Sequence, residues 1–310
     1  MTPTPLHRHL PSTTRRLLAT LPLVAPLLLA LASPAQAATL KLRLLETTDL
    51  HMALQAFDYY ADKPTDEYGL ARTATLIAAA RAEQPNAMLF DNGDLIQGNP
   101  LGDQVARVQP LKAGQVHPAM KVLNALKVDA ANVGNHEFNF GLDFLQRAYS
   151  GAVYPIVNAN LVRPQAGVPE AQLKPLFQPY VILERRFTDD SGATRTVKVG
   201  VIGFAPPQVL VWDRSHLLGQ VQALDIVQTA QRLVPEMRAK GADVVVAIPH
   251  SGLEWGVSTA LFAENVVARL AQVPGVDAIL FGHSHGEFPG TFFGKHPAVD
   301  LARGTIHGVP

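Results

Sequence analysis

Residues Ala87-Met88-Leu89-Phe90-Asp91-Asn92-Gly93-Asp94-Leu95-Ile96-Gln97-Gly98 pass from an unbroken apolar run into a knot of carboxylates, amide and glycine. A short apolar run bounded by turn residues reads as a strand buried on both faces. Such strands belong to sheets covered by helices, and ligands gather beyond their carboxyl ends. The polar knot stands at such an end. Outward from it the same order recurs. Leu40–Thr48 leads into Asp49-Leu50-His51, and Val128–Val133 into Gly134-Asn135-His136-Glu137-Phe138. Ala242–Ile248 leads through Pro249 into His250-Ser251-Gly252, and Val276–Phe281 into Gly282-His283-Ser284-His285-Gly286.

Between these strands the spacing predicts helices over Tyr68–Glu83, stopped before Pro85, and over Pro118–Leu126, Leu142–Tyr149, Ile226–Lys240 and Thr259–Ala271. Pro235 is expected to kink the fourth. Tyr154–Val157 reads as a further strand. Tyr180–Phe187 and Thr196–Gly203 flank Asp189-Asp190-Ser191-Gly192, a hairpin turn. The fold class that follows is α/β (α+β), with layered sheets.

The composition narrows the function classes. Among 310 residues, 47% are hydrophobic and 17% charged, with 26 basic against 26 acidic side chains. A neutral balance excludes a dedicated nucleic-acid binder, and the hydrophobic content excludes a disordered chain. With no cysteine there is no disulfide scaffold, thiolate zinc site or cysteine nucleophile. Any metal must be held by His, Asp, Glu, Asn or Gln.

Residues 1–37 carry Arg8, Arg15 and Arg16, then an apolar run from Leu17 to Leu31, then Ser33-Pro34-Ala35-Gln36-Ala37. This is the order of a secretory signal peptide with an Ala-x-Ala cleavage site. The run is short for a bilayer span, which needs about 20 apolar residues, and Pro22 and Pro26 interrupt it. Export to the periplasm is expected, with a mature chain of residues 38–310. That chain is expected to be a monomer without stable membrane association.

Five of the nine histidines beyond residue 37 lie in the strand-end clusters. Imidazole, carboxylate and amide oxygen together suit Zn, Mn, Fe or Co. Asp49-x-His51 and His283-x-His285 put both members of each pair on one side of an extended segment. Seven candidate ligands exceed one tetrahedral ion and match two ions sharing a carboxylate, the arrangement that clamps an in-line phosphoryl displacement. Glu137 is read as bonding to local backbone rather than to metal, and Phe57 and Trp212 as core aromatics.

Asp-x-His, Gly-Asp-x-x-x-Gly, Gly-Asn-His-Glu, a later His and Gly-His-x-His resemble the signature of calcineurin-like metallophosphoesterases. The longer stretches Glu46–His51, Phe57–Tyr60, Gly93–Gly98, Gly134–Asn139 and Pro206–Asp213 resemble the cyclic-nucleotide phosphodiesterase branch of the 5′-nucleotidase family. The resemblance runs from Leu44 to Pro310. It implies a four-layer αββα sandwich of two mixed sheets. It also implies two divalent ions, one on Asp49, His51 and His285, the other on Asn135, His250 and His283, with Asp94 bridging. His136 would act on the transition state or leaving oxygen, with Asn135 and Asn139 beside it in the catalytic set. The implied substrates are small nucleotides, namely 2′,3′-cyclic nucleotides and 3′-nucleotides. The other readings are a 5′-nucleotidase or nucleoside-diphosphate-sugar hydrolase on the same metals, and a chain that binds metal without turning nucleotides over.

Two departures bear on these expectations. Asn139 stands where 5′-nucleotidases carry the aspartate that orients the histidine; an amide accepts its hydrogen bond but supplies no charge. The sequence ends at Pro310, before the family's last sandwich strands and C-terminal nucleotide-binding domain, so 38–310 is expected to be an incomplete metal-binding catalytic domain.

Overall fold

Alternation within the strands sorts the chain into layers. In the computed structural model, which describes residues 38–112, 114–255 and 259–310, β1 (Arg43–Thr47), β2 (Ala87–Asp91) and β3 (Ala130–Ala131) form an all-parallel sheet in that order. The signal-like segment 1–37 lies outside the described residues. A second sheet contains β4 (Tyr180–Thr188), β5 (Thr194–Phe204), β6 (Val244–Pro249) and β7 (Ala278–Ile279), in the order β7-β6-β5-β4. Its β4–β5 pair is antiparallel and the rest parallel.

Successive side chains leave a strand on opposite faces. From β2, Met88 and Phe90 enter a cluster with Val199 and Val201 of β5 and Val246 and Ile248 of β6, the seam between the sheets. Leu89 points the other way, into a cluster with Leu70 and Ile77 of α1 (Leu70–Glu83), Met120 and Leu123 of α2 (Pro118–Ala125) and Leu145 of α3 (Leu142–Tyr149). From the second sheet, Ile202, Phe204, Val245 and Ala247 pack on α4 (Ile226–Ala239) through Ala230, Leu233, Val234 and Met237. Helix, sheet, sheet and helix are therefore four layers, as the resemblance implied, although only the second sheet is mixed and the described pairings of the first are all parallel. The β4–β5 turn is held by Asp189, whose Oδ1 accepts the N–H groups of Ser191 and Ala193 at 3.0 and 2.9 Å.

Three expectations are corrected. The helix expected over Thr259–Ala271 contracts to α5 (Val267–Leu270). The preceding segment is drawn to tertiary partners instead: Phe262 donates its N–H to Asp225, the Glu264 carbonyl accepts from Ser251, and Asn265 accepts from the Gly252 N–H. Pro235 lies within α4, which runs through it. The last apolar strand pairs over two residues only, although Asp277 and Leu280 still donate to Val245 and Ala247.

His117 begins α2, its Nδ1 accepting the Ala119 N–H at 3.2 Å, with Pro118 as the first helical residue. The ring is fully buried against Phe144, and burial pushes its pKa down to about 4. The unfolded chain takes up this proton near the ordinary pKa of about 6.5. Stability from the neutral ring is thus present above about 6.5 and is lost as pH falls towards 4. In chelator-treated protein, His117→Asn keeps a capping oxygen and removes the titration. Its melting temperature should fall less between pH 7 and pH 4.5 than that of the wild type. Equal falls would contradict this.

Candidate metal centre

The loops after β1 and β2 are zipped together beyond the end of their ladder. Asp49, His51 and Met52 donate their N–H groups to the carbonyls of Gly93, Asp94 and Leu95 at 3.0, 2.8 and 2.9 Å. This brings Asp49 and His51 beside Asp94. The bends cost conformational energy. Asp49, His51, Asp94, His283 and His285 all have φ between 43° and 72°, a left-handed region unfavourable for side chains with a Cβ. They are half of the ten non-glycine residues with positive φ among the described residues. Strain concentrated this way marks a functional site.

The second sheet is tied to the first by buried amides. The Nδ2 of Asn132 lies 3.0 Å from Asn92 Oδ1, 2.7 Å from the Phe204 carbonyl and 2.9 Å from the Ile248 carbonyl. Asn158 Nδ2 donates to Asn132 Oδ1 at 3.1 Å, and Asn92 Nδ2 to the Pro249 carbonyl at 2.8 Å. The chain links the carboxyl ends of β2 and β3 to those of β5 and β6, so His250 arrives opposite Asp94.

At the centre, lone pairs face one another. His250 Nδ1 donates to the Asn92 carbonyl at 2.7 Å, and His51 Nδ1 to the Gln97 carbonyl at 3.0 Å. Each ring, when neutral, presents an Nε2 lone pair inward. Burial disfavours charge on His250, but Asp94 and Asp49 outweigh it and raise its pKa to about 9, so without a cation this Nε2 shares a proton with Asp94. His283 Nε2 donates to Glu264 at 2.8 Å, leaving Nδ1 as its lone-pair nitrogen. Asp49 Oδ2 accepts the Thr48 hydroxyl at 2.6 Å and the His283 N–H at 3.0 Å, and Asp94 Oδ1 accepts the His136 N–H at 2.8 Å. The inward atoms come close: His250 Nε2 lies 2.9 Å from Asp94 Oδ2, His285 Nε2 lies 3.1 Å from Asp49 Oδ1, and the Nε2 atoms of His51 and His285 lie 3.3 Å apart. Asp49 Oδ1 and Asn135 Oδ1 are buried with no hydrogen-bond partner. Buried acceptors aimed at one another are costly unless a cation lies between them. The donor set of nitrogen and oxygen atoms, each held from behind, fits a divalent ion.

Two of the ligand-atom groups that fall within 4.8 Å are Asp49, His51 and His285, and Asp94, His250 and His283. The first group has the members that the resemblance implied for one ion; in the second, Asp94 stands with His250 and His283, where the resemblance implied Asn135 with Asp94 as a bridge. Asp94 is held below the usual carboxylate range, at about 2, by His250 and His136 against the opposing effect of burial.

Glu137, read as a backbone acceptor, is fully buried and takes N–H bonds from Gly134, Asp94, Leu95 and Ile96 at 2.6 to 3.3 Å. It shapes the loop that aims Asp94. Burial beside Asp94 pushes its carboxyl up, while these bonds oppose that rise. His136 sits against His51, ring centroids 5.0 Å apart, and its Nδ1 bonds Asn139 Oδ1 at 2.6 Å. Trp212 is corrected: it is 47% exposed, its ring 5.8 Å from that of His283. Phe57 lines an aromatic hollow with Tyr59, Tyr60 and Tyr68 beside Asp49 and His51. Sequence reasoning missed Asn92, Asn132 and Asp213. The first two followed strands as visibly as the ligands did, but their amides turn into the seam.

The calcineurin-like phosphoesterase pattern matches residues 42–287, so the chain belongs to that family. It is 51% identical over 291 residues to the 2′,3′-cyclic-nucleotide 2′-phosphodiesterase/3′-nucleotidase of Yersinia enterocolitica, covering 94% of this chain and 43% of that protein. It is 46% identical to the trifunctional nucleotide phosphoesterase protein YfkN of Bacillus subtilis, covering 90% of this chain and 19% of that one. The crystal structure of calcineurin-like phosphoesterase YfkN from Bacillus subtilis superposes with a TM-score of 0.82 at 45% identity, covering 87% of this chain and 80% of that structure. This chain thus spans less than half the length of these two curated relatives.

A cation that bridges these lone pairs binds the folded state alone, so Mn²⁺ should raise the melting temperature and excess chelator should reverse the rise. Gly134 has no room for a methyl group, because a Cβ there would overlap Asp94 Oδ1 and crowd His250 Cε1. Gly134→Ala should therefore abolish the Mn²⁺-dependent rise. A full rise in that variant would place the cation elsewhere.

Proposed function

We propose that residues 38–310 are the metal-binding catalytic domain of an exported phosphoesterase that hydrolyses 2′,3′-cyclic nucleotides to 3′-nucleotides, and 3′-nucleotides to nucleoside and phosphate. The observation that carries this reading is the pair of three-residue lone-pair clusters, one on Asp49 and one on Asp94. It stands in a chain half identical to a relative bearing those activities in its name. One ion would be held by Asp49, His51 and His285, the other by Asn135, His250 and His283, and Asp94 would bridge them. Mn, Zn, Co and Fe all suit these donors. Two such ions supply an acidified water nucleophile and neutralise charge on the phosphoryl oxygens.

The chain's own residues supply the rest. Asn92 and Gln97 hold His250 and His51 in the metal-binding tautomer through their carbonyls. Glu137 gathers the backbone around Asp94. His136, which lies with His51 and Asp94, would give a proton to the departing ribose oxygen. Asn139 favours the cyclic-nucleotide branch over the snake-venom 5′-nucleotidases, to which the chain is only 29% identical. Residues 1–37 support export to the periplasm as a signal peptide, and no described helix is long and apolar enough to cross a membrane. A monomer without nucleic-acid or membrane partners completes the proposal.

With Mn²⁺, 2′,3′-cyclic AMP and 3′-AMP should turn over faster than 5′-AMP, and excess chelator should stop all three. Asp94→Asn, which weakens both proposed sites, should lower kcat/KM by at least about 100-fold at limiting metal, roughly 3 kcal/mol of transition-state stabilisation. Preference for 5′-AMP, or full activity of the variant, would overturn the proposal.

A further inference from the structure

Asn139 leaves His136 without the adjacent carboxylate that the resemblance implies for 5′-nucleotidases. The structure shows where a charge is recovered. Asn139 Nδ2 lies 2.9 Å from Asp213 Oδ1 and 3.1 Å from Asp213 Oδ2. Asp213 is 5% exposed, and Asn139 is the only hydrogen-bond partner of its carboxylate among the described residues. It ends the stretch Pro206–Asp213 that the sequence singled out without a role for its last residue.

The direction of the hydrogen bonds follows from elementary chemistry. An ionised carboxylate only accepts, so the Asn139 edge facing Asp213 must be the NH₂ group. Its Oδ1 then faces His136 Nδ1 at 2.6 Å, and an amide oxygen only accepts. Nδ1 of His136 must therefore carry the hydrogen. The opposite nitrogen, Nε2, is left as the one that holds or gives up a proton on the metal-centre side. If Asn139 turned over, its oxygen would meet the carboxylate and its NH₂ would force the other tautomer on the ring.

We infer that Asp213 is a positioning residue that acts through Asn139, locking His136 as the Nδ1–H tautomer and holding the orientation of its ring. Asn139 works as a polarisable spacer, donating towards Asp213 and accepting from His136. The arrangement extends by one link the pairing of carboxylate and histidine that orients a general acid or base. The inference about catalysis rests on the proposed phosphoesterase reading; the tautomer does not.

The test therefore has two arms, both on the full chain. In the first, ¹⁵N NMR of the imidazole groups reads the tautomer of His136, its signal assigned by loss in His136→Gln. The wild type should show Nδ1–H, and Asp213→Asn, which leaves two amides free to pair either way, should show a mixture. An Nε2–H ring in the wild type, or no change in the variant, would overturn the inference whatever the activity.

In the second arm, kcat and KM are measured with Mn²⁺ on 2′,3′-cyclic AMP, whose ribose oxygen leaves as a poor leaving group, and on bis(4-nitrophenyl) phosphate, whose nitrophenolate leaves without help. Asp213→Asn should lower kcat on the first by about 10- to 100-fold, in the range of general acid–base catalysis. KM should change less than about threefold, and the loss on the second substrate should be under about threefold. Combining Asp213→Asn with Asn139→Asp returns a carboxylate to the histidine and should restore most of the lost kcat. Equal losses on both substrates, or no recovery in the double variant, would reduce Asp213 to a structural support and overturn the inference. No wild-type turnover of any phosphate ester would instead count against the proposed function, and the NMR arm would still decide the tautomer.

Discussion

The buried amide chain through Asn92, Asn132 and Asn158 holds the two sheets in register at the end where chemistry is placed. Asn132 alone reaches a side chain on β2's loop and the carbonyls of Phe204 and Ile248 on β5 and β6. Asn92 reaches Pro249 with its side chain and orients His250 with its carbonyl. Apolar packing between sheets is non-directional and tolerates sliding. Hydrogen bonds to specific carbonyls do not tolerate it, because a shifted sheet would leave buried amides unpaired. The seam is apolar in its middle and polar at this end, and the polar end carries the site.

Everything at the metal centre is then a matter of which atom points inward. His51, His250 and His283 each spend one ring nitrogen on an acceptor behind them, so the other is the nitrogen that can offer a lone pair to a cation. Asp49 and Asp94 each satisfy one oxygen with protein donors. What remains is a cluster of inward-facing nitrogen and oxygen atoms in which buried acceptors such as Asp49 Oδ1 and Asn135 Oδ1 have no partner. Such an arrangement destabilises the chain alone and favours binding of a cation, which is the sense in which binding energy has been built into the fold. The positive φ angles of five of these residues are further strain at the same place.

Much of this was legible in the sequence because the signals were local. Apolar runs ending in Asp, Asn and His placed the strands and the ligands together, and the pairs Asp49/His51 and His283/His285 reported shared geometry. The helix expected over Thr259–Ala271 failed because Ser251, Asp225 and Gly252, distant in sequence, take up its backbone and side-chain groups. Trp212 was read as core from its apolar character, yet it flanks His283 with half of its surface in solvent. Glu137, expected to face its own backbone, accepts from the nearby Gly134 N–H but takes its other three N–H groups from the distant loop 94–96.

The sequence by itself determined the alternation of apolar strands and helices, the candidate metal-binding donors and the absence of thiolate chemistry, because each depends on residue type and near-neighbour spacing. Tertiary structure alone decided which oxygen or nitrogen of each donor faces the centre, how Asn92 and Asn132 lock the sheets, and that Asp213 lies behind Asn139. Those facts concern pairs separated by up to 234 positions along the chain, as in His283 and Asp49. A hydrogen bond has direction, and that direction exists only once both partners have been brought together in space.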